Sequence, residues 1–265
     1  MAKMRTAEEI ARDFQYGLLY TDGNDICYYD FEDKESYDVY HNDGLIIKMI
    51  DYKDDIYINS HSGEKTIFGN KTLKSGDNFF IYKNQLYSHN NVKIFKLEEE
   101  LFSLENGKIK CIKSYKDKLF GMVHIEDEPV SICSIDLEKQ KLENIIYSCK
   151  WNPHMFQYFD VIDEKTFIST LYERMLDINN EYVKGSIRGS NYGNLNIINN
   201  INNKLFIVYS HWHKGIFSAI VDLKEKELEE ENFIVKPKAQ IYGAIHINDI
   251  HMRNKILKYC EEKHG

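Results

Sequence analysis

The chain has 265 residues, a formal net charge of −8 at pH 7 and 43% hydrophobic residues. This composition argues against a disordered chain, and no apolar run approaches the length of a transmembrane helix. The acidic balance argues against general nucleic-acid binding, which needs a basic surface. We expect no membrane association and, since the N-terminus lacks an apolar stretch, no signal peptide. The scattered cysteines, without CxxC spacing, predict reduced thiols in a cytoplasmic protein; they are Cys27, Cys111, Cys133, Cys149 and Cys260.

A short helix is predicted near the start of the chain. Thr6 followed by Glu9 has the spacing of a capping box, which favours one or two helical turns within residues 6–12. After it, short runs rich in aromatic and β-branched residues alternate with turn signals such as Gly23-Asn24 and Asn106-Gly107. Many short strands at nearly regular spacing indicate an all-β sandwich, barrel or propeller.

Three stretches of the sequence align with one another without a gap. They are residues 12–31 (RDFQYGLLYTDGNDICYYDF), 118–137 (KLFGMVHIEDEPVSICSIDL) and 204–223 (KLFIVYSHWHKGIFSAIVDL). Each stretch reads as two strands joined by a tight turn. Asp30, Asp136 and Asp222 occupy the same position in this alignment. An internal repeat of this kind is typical of repeat architectures such as propellers.

Aromatic residues open the candidate repeats, and each follows a short polar turn. They lie 30 to 47 residues apart, an interval that holds about four strands. These anchors are Phe14, Tyr57, Tyr87, Phe120, Phe167 and Phe206. The chain therefore resembles β-propeller repeat proteins in general, and it carries the signature of no particular propeller family. The resemblance implies an all-β propeller of six blades, or of seven if Tyr242 opens a further blade that the N-terminus completes.

The repeat also predicts the division of the chain. Residues 1–11 are expected to form an N-terminal segment, residues 12–249 the propeller and residues 250–265 a C-terminal helix. Ile250, Ile256, Leu257 and Cys260 fall roughly on one stripe of that helix. We expect residues 240–248 to be the outer strand of the sixth blade and each anchor strand to be the first strand of its blade. The anchors Phe14, Phe120, Phe167 and Phe206 should be buried between blades.

Histidines recur near the ends of the anchor strands. His61 and His124 each lie four residues after an anchor, and His211 and His213 flank a tryptophan. Residues i and i+2 of a strand share a face, so His211 and His213 could present two imidazoles to one divalent metal such as zinc, iron or manganese. The pattern allows a metal-dependent lyase, hydrolase or oxygenase with histidines in the propeller channel. Surface or hydrogen-bonded core histidines are the alternative interpretation, because zinc needs three or four ligands.

Two tryptophans are candidate contact residues. Trp212 lies between His211 and His213 beside a predicted turn, and Trp151 lies in an aromatic segment that could instead pack between blades. No GxSxG, HExxH or nucleotide-binding glycine motif is present. We therefore predict a non-catalytic binding platform for a protein or small ligand, in which one loop face uses these four residues as contacts. A metal-dependent enzyme, and carbohydrate binding or processing, are the alternatives.

Overall fold

The computed structural model describes residues 16–69, 72–73, 78–96, 98–148, 156–161, 167–171, 174–177, 195–201, 203–211, 215–225, 227–235 and 241–264. These residues form antiparallel sheets, and one helix follows the last strand. No helix within these ranges is both long and apolar enough to cross a membrane. The predicted N-terminal helix and the anchor Phe14 lie outside the described residues.

The strands are short, as the frequent turn signals predict. The first twelve are β1 (Gly17–Asp22), β2 (Asp25–Asp30), β3 (Ser36–His41), β4 (Ile46–Tyr52), β5 (Asp55–Ser60), β6 (Gly63–Thr66), β7 (Thr72–Leu73), β8 (Asn78–Tyr82), β9 (Gln85–His89), β10 (Lys93–Lys96), β11 (Glu99–Ser103) and β12 (Gly107–Tyr115). The others are β13 (Lys118–Ile125), β14 (Ser131–Asp136), β15 (Lys141–Ser148), β16 (Phe156–Val161), β17 (Phe167–Leu171), β18 (Arg174–Asp177), β19 (Leu195–Ile201), β20 (Lys204–His211), β21 (Gly215–Asp222), β22 (Glu227–Val235) and β23 (Ile241–Ile247). The helix is α1 (Ile250–His264).

The sheets have the topology of propeller blades. Each is an antiparallel meander, in the orders β23-β1-β2-β3, β4-β5-β6-β7, β11-β10-β9-β8, β12-β13-β14-β15, β16-β17-β18 and β19-β20-β21-β22. The all-β class, the propeller arrangement and the C-terminal helix are thus confirmed. Five sheets have four strands and one has three described strands. The count of complete four-stranded blades is therefore five, and the predicted six is wrong.

The two ends of the chain meet in one sheet. β23 pairs antiparallel with β1, with Gly17 opposite Ile247 and Tyr20 opposite Ala244. Residues 240–248 therefore do not supply the outer strand of a C-terminal blade, as predicted, but the first strand of the N-terminal sheet. The hydrophobic pattern of this strand fits either position, so the sequence did not distinguish them.

The anchor strands are the second strands of their sheets, not the first. Tyr57 lies in β5, Tyr87 in β9 and Phe120 in β13, each joined by a hairpin to an earlier strand of the same sheet. The anchors Phe167 and Phe206 lie in β17 and β20, at the same place in their sheets. The error of one strand arises because the polar turn that marks each repeat joins the first strand to the second, and does not separate blades.

The chain forms two compact units, Met1–Asn70 with Lys184–Gly265 and Lys71–Val183. In the first unit, which we call unit 1, the first strands β4 and β19 each pack against β23. In the second, unit 2, β12 packs against β8 and β16. The core of unit 2 includes Phe120, which is 2% exposed and lies with Met122 and Phe159 in one apolar cluster. The predicted burial of Phe120 is confirmed.

Two of the hairpins between first and second strands share one turn chemistry. The two central residues, Lys53 and Asp54 in one turn and Lys83 and Asn84 in another, have φ between 47° and 60°. Positive φ at both positions is the type I′ geometry that matches the twist of paired strands, and Asp and Asn tolerate it. A tyrosine precedes each pair, and the same Tyr-Lys-Asp run recurs at residues 115–117 before β13.

The aligned aspartates close the next hairpin in each sheet. Asp30 Oδ1 accepts the backbone N–H of Glu32 at 2.8 Å. Asp136 Oδ1 accepts the N–H of Lys139 at 2.9 Å, and Asp222 Oδ1 accepts that of Lys224 at 2.8 Å. Such Asx turns satisfy backbone donors at the end of a strand. The three aligned stretches thus occupy like positions, as the repeat predicts.

Helix α1 is held on the N-terminal sheet by a buried ion pair. Arg253 Nε lies 2.7 Å from Asp30 Oδ2, whose side chain is 0% exposed, and Arg253 also contacts Glu32 at 2.9 Å. The buried stripe of the helix is Met252, Ile256 and Cys260. The predicted stripe is therefore wrong at Ile250, which is the first residue of the helix and is 38% exposed.

Because the Phe120 side chain is only 2% exposed, its removal should strongly lower the free energy of unfolding. We expect Phe120→Ala to lower the free energy of unfolding by about 3–5 kcal/mol, because it leaves a cavity in a packed cluster. Phe233→Ala is the matched control, since Phe233 is 54% exposed, and it should cost less than about 1 kcal/mol. Urea unfolding measures both, and equal losses would contradict this packing.

Arg253→Ala should lower the free energy of unfolding by about 3–5 kcal/mol, because it leaves the Asp30 carboxylate buried without its cation. The control is Lys258→Ala, which breaks an exposed pair with Glu262, 3.6 Å away, and should cost less than about 1 kcal/mol. Thermal unfolding at pH 7 compares the two. A loss for Arg253→Ala no larger than that of the control would show that the ion pair does not hold the helix.

Candidate functional site

A cleft of about 700 Å³ in unit 2 is the candidate binding site. It lies where the β8–β11 sheet faces the β12–β15 sheet, and residues of both sheets line it. This volume falls in the range of ~300–1,000 Å³ that is typical of ligand pockets. We refer to it as the cleft.

The floor of the cleft is apolar and aromatic. Tyr82 and Tyr87 meet edge to face, with ring centroids 5.8 Å apart, beside Leu101, Ile135 and Leu137. All five side chains belong to or pack against the apolar cluster between the two sheets. The floor is thus the outer surface of a packed core, which gives a ligand a firm apolar base.

Two hydrogen bonds between the sheets fix the position of Tyr82. Its hydroxyl donates to the carbonyl of Asp117 at 3.1 Å. Ser114 Oγ donates to the carbonyl of Ile81 at 2.6 Å. Lys83, in the hairpin turn that follows Tyr82, supplies a third contact, since its Nζ lies 5.2 Å from the centroid of the Tyr82 ring. The aromatic floor is therefore preformed.

The rim of the cleft is charged, with more carboxylates than amines. Its acidic residues are Glu99, Asp117, Asp136, Glu138 and Glu143, and its basic residues are Lys83, Lys96 and Lys118. Outside the lining, Lys139 bridges Asp136 at 2.7 Å and Glu143 at 3.3 Å. The hydrogen bond from Lys139 holds the pKa of Asp136 below its usual value. Asp136 therefore stays ionised at neutral pH, and Lys139 already pairs with two of the rim carboxylates, which leaves Glu99, Asp117 and Glu138 facing Lys83, Lys96 and Lys118.

The described cysteines are not activated nucleophiles. Cys27, Cys111, Cys133 and Cys260 are buried free thiols, and Cys149 lies outside the described residues. Burial, with the charge of Asp38, raises the pKa of Cys27 to about 12. Burial, with the charge of Glu128, raises the pKa of Cys133 to about 11. Both remain protonated at neutral pH, where a thiol is a poor nucleophile.

The structure places only part of the predicted site. His61 is exposed in the turn after β5, and His124 is half-buried in β13 opposite Lys108. They belong to unit 1 and unit 2 respectively. His211 ends β20, where its backbone pairs with Gly215. Trp151, Trp212 and His213 lie outside the described residues. The predicted metal and tryptophan sites therefore stay predictions.

Within the described ranges, no three His, Cys, Asp or Glu side chains are grouped as a metal site would require. One carboxylate, that of Asp51, nevertheless has a raised pKa. Burial, and then the negative charges of Asp249 and Asp54, raise the pKa of Asp51 to about 6. Asp249 is held in place because its Oδ1 accepts the N–H of His251 at 3.0 Å, which caps α1. The negative charges of Asp51 and Asp249 thus repel each other at the start of α1.

Asp51→Asn should raise stability at neutral pH. The folded-state pKa of Asp51 lies above its unfolded value, so the wild type loses stability as pH rises from about 4 through about 6. We expect the variant to gain about 1–2 kcal/mol at pH 7, after allowing for solvent screening, and to match the wild type near pH 4. Urea unfolding across pH 4–8 measures this, with Asp43→Asn, at an exposed position, as the control. A gain that does not depend on pH would contradict the assignment.

The cleft was not predicted from the sequence, although one signal pointed to it. The Tyr-Lys-Asn turn at residues 82–84 repeats the turn at residues 52–54 as Tyr-Lys-Asp, and the tyrosine of the later turn lies on the cleft floor. Neither a protein-family model nor a curated protein matches the chain. Its function is therefore inferred from the geometry and the charge of the cleft.

Proposed function

We propose that the protein is a binding protein whose cleft in unit 2 holds a segment of a partner protein. The observation that supports this most directly is the combination of a preformed apolar floor with a charged rim in one cavity of about 700 Å³. Apolar anchors surrounded by polar groups are the usual composition of recognition sites. The proposed function, binding without catalysis, is the one predicted from the sequence. The proposed binding surface, however, is the cleft.

A peptide fits this composition better than a small apolar ligand. The floor offers Tyr82, Tyr87 and Leu137 to an apolar side chain, and the rim of the same cleft offers Glu99 and Glu138 to a cation. A polypeptide carries both kinds of group along one chain, whereas a small apolar molecule would leave the rim charges unused. The loop face with Trp212, and the metal and carbohydrate alternatives, gain no comparable support from the described side chains.

Selection of peptides tests the proposal. A phage-displayed library of random twelve-residue peptides is selected against the purified full chain, and the enriched peptides are measured by calorimetry. We expect Tyr82→Ala to weaken their binding by about 2 kcal/mol, or roughly thirtyfold, because it removes an aromatic anchor from the floor. Melting temperatures of all variants are recorded, so that unfolding is not mistaken for loss of binding.

Tyr52→Ala is a closely matched control. Tyr52 meets Tyr57 at 5.9 Å and 61°, and Lys53 lies over its ring at 5.1 Å, as Tyr82, Tyr87 and Lys83 do in unit 2. It belongs to unit 1 and does not line the cleft. Tyr52→Ala should bind the selected peptides as tightly as the wild type does. Failure to enrich any peptide, or equal losses in both variants, would overturn the proposed function.

A further inference from the structure

A second cavity, which we call the small pocket, lies on the β12–β15 sheet and has no role in the function proposed above. Its volume is about 130 Å³. Its walls are mainly apolar, and Val123, Cys133, Leu142 and Ile145 contribute to them. An apolar cavity of roughly 150 Å³ in a protein interior can bind one benzene molecule. The small pocket is therefore large enough to take one apolar side chain of a ligand.

The small pocket and the floor of the cleft lie on the same face of this sheet. Side chains of both cavities belong to or pack against one apolar cluster. They are Val123, Cys133 and Leu142 in the small pocket and Leu119, Ile135 and Leu137 in the cleft. Ile145 stands directly opposite Cys133 in the strand pair and so shares its face. A ligand that lies along this face therefore reaches both cavities.

A bulge in β15 places a carboxylate at the boundary between the two cavities. At one point of the strand pair, β15 has two residues, Glu143 and Asn144, where β14 has only Ser134. The backbone N–H of Asn144 donates to Ser134 Oγ at 3.2 Å, which holds the bulged segment in place. Bulges are frequent beside functional sites, where they change the direction of a side chain. Here Glu143 lines both the cleft and the small pocket.

The charge at this boundary is negative. Within the described part of the chain, the charged residues that line the small pocket are both glutamates, Glu128 and Glu143. Lys139 contacts Glu143 at 3.3 Å, but it lies closer to Asp136, at 2.7 Å, and its side chain is 62% exposed. Exposed ion pairs contribute little free energy. A cationic group of a ligand can therefore replace Lys139 at Glu143 while Lys139 stays paired with Asp136.

We infer that the partner segment carries two apolar side chains with a lysine or arginine between them, and that Glu143 selects this cation. The inference rests on the proposed function and deepens it. One apolar side chain packs on Tyr82 and Tyr87 in the cleft, and the other fills the small pocket. The cationic residue crosses the bulge, where the Glu143 carboxylate is its partner. The net charge of −8 favours a foreign cationic segment over a second copy of this chain.

The test repeats the selection of random twelve-residue peptides with the full wild-type chain and with its Glu143→Gln variant. Peptides selected by the wild type should carry lysine or arginine between two apolar residues. Glu143→Gln should still select the two apolar residues but no longer enrich the cation between them. Glu262→Gln is the matched control, because Glu262 is also a lysine-paired glutamate, 3.6 Å from Lys258, but belongs to unit 1. It should select the same peptides as the wild type.

Calorimetry on one selected peptide then measures the contribution of each group. Replacing the cation of the peptide by norleucine should weaken binding to the wild type about fivefold and leave binding to Glu143→Gln unchanged. Lys139→Gln should strengthen binding about twofold, because it removes the cation that competes for Glu143. A loss of folding cannot produce such a gain. Ile145→Ser should weaken binding about fivefold, because it removes an apolar wall of the small pocket. Phe233→Ser, which changes an exposed apolar residue of β22, is its control and should bind as the wild type does.

Several outcomes would overturn the inference. Selected peptides that lack the cation, or that keep it when Glu143→Gln is the target, would do so. Peptides whose binding depends on Tyr82 but not on Ile145 would overturn this inference alone and leave the proposed function standing. A dimer of the free wild-type chain, seen by sedimentation, that Ile145→Ser dissociates would identify a second copy as the occupant and would also overturn it. If no peptide is enriched, the proposed function fails, and this inference fails with it.

Discussion

The pairing of β23 with β1 is the constraint on which the architecture of unit 1 depends. It joins residues 219 to 230 positions apart, from Asp22 with Ile241 to Gly17 with Ile247. The entropy lost in closing this long stretch of chain must therefore be offset by the contacts that the pairing allows. Because α1 begins directly after β23, the same pairing places the helix beside β3, where it covers an open edge. The ion pair between Arg253 and Asp30 then fixes the helix at the end of β2. One non-local strand pair thus completes a sheet, protects its edge and buries the apolar stripe of the helix.

The sequence predicted those parts of the fold in which a hairpin carries a recognisable local sequence pattern. Two features recur closely enough to align Asp136 with Asp222. They are the turn between the second and third strands and the aspartate that closes the following hairpin. The first strand of each sheet precedes the polar turn from which the repeats were counted, so it was assigned to the repeat before. The sequence therefore identified the blades but placed their start one strand late, and assigned residues 240–248 to the wrong sheet.

The candidate site could be predicted far less well, for a physical reason. The cleft combines Tyr82 and Leu101 of one sheet with Leu137 and Ile146 of the next, positions that no local period brings together. Motif searches detect groups fixed by spacing along the chain, whereas this cleft is fixed by the packing of two meanders. The histidines were singled out because they share a spacing along the chain, and the metal site that they suggest stays a prediction.

Comparison of the two tyrosine hairpins shows how the candidate site differs from the other copies of the repeat. Tyr52 with Lys53 and Tyr82 with Lys83 have nearly the same ring and cation geometry, so the motif itself stabilises the turn and specifies nothing further. Around Tyr82 the next sheet adds carboxylates and an outer strand, β15, whose second half is uncharged. A repeat architecture can vary such edges without disturbing the hairpins, since the Asx turns and type I′ turns that hold each sheet are made within it. Outer strands can therefore differ in charge from sheet to sheet while the hairpins at Tyr52 and Tyr82 stay alike.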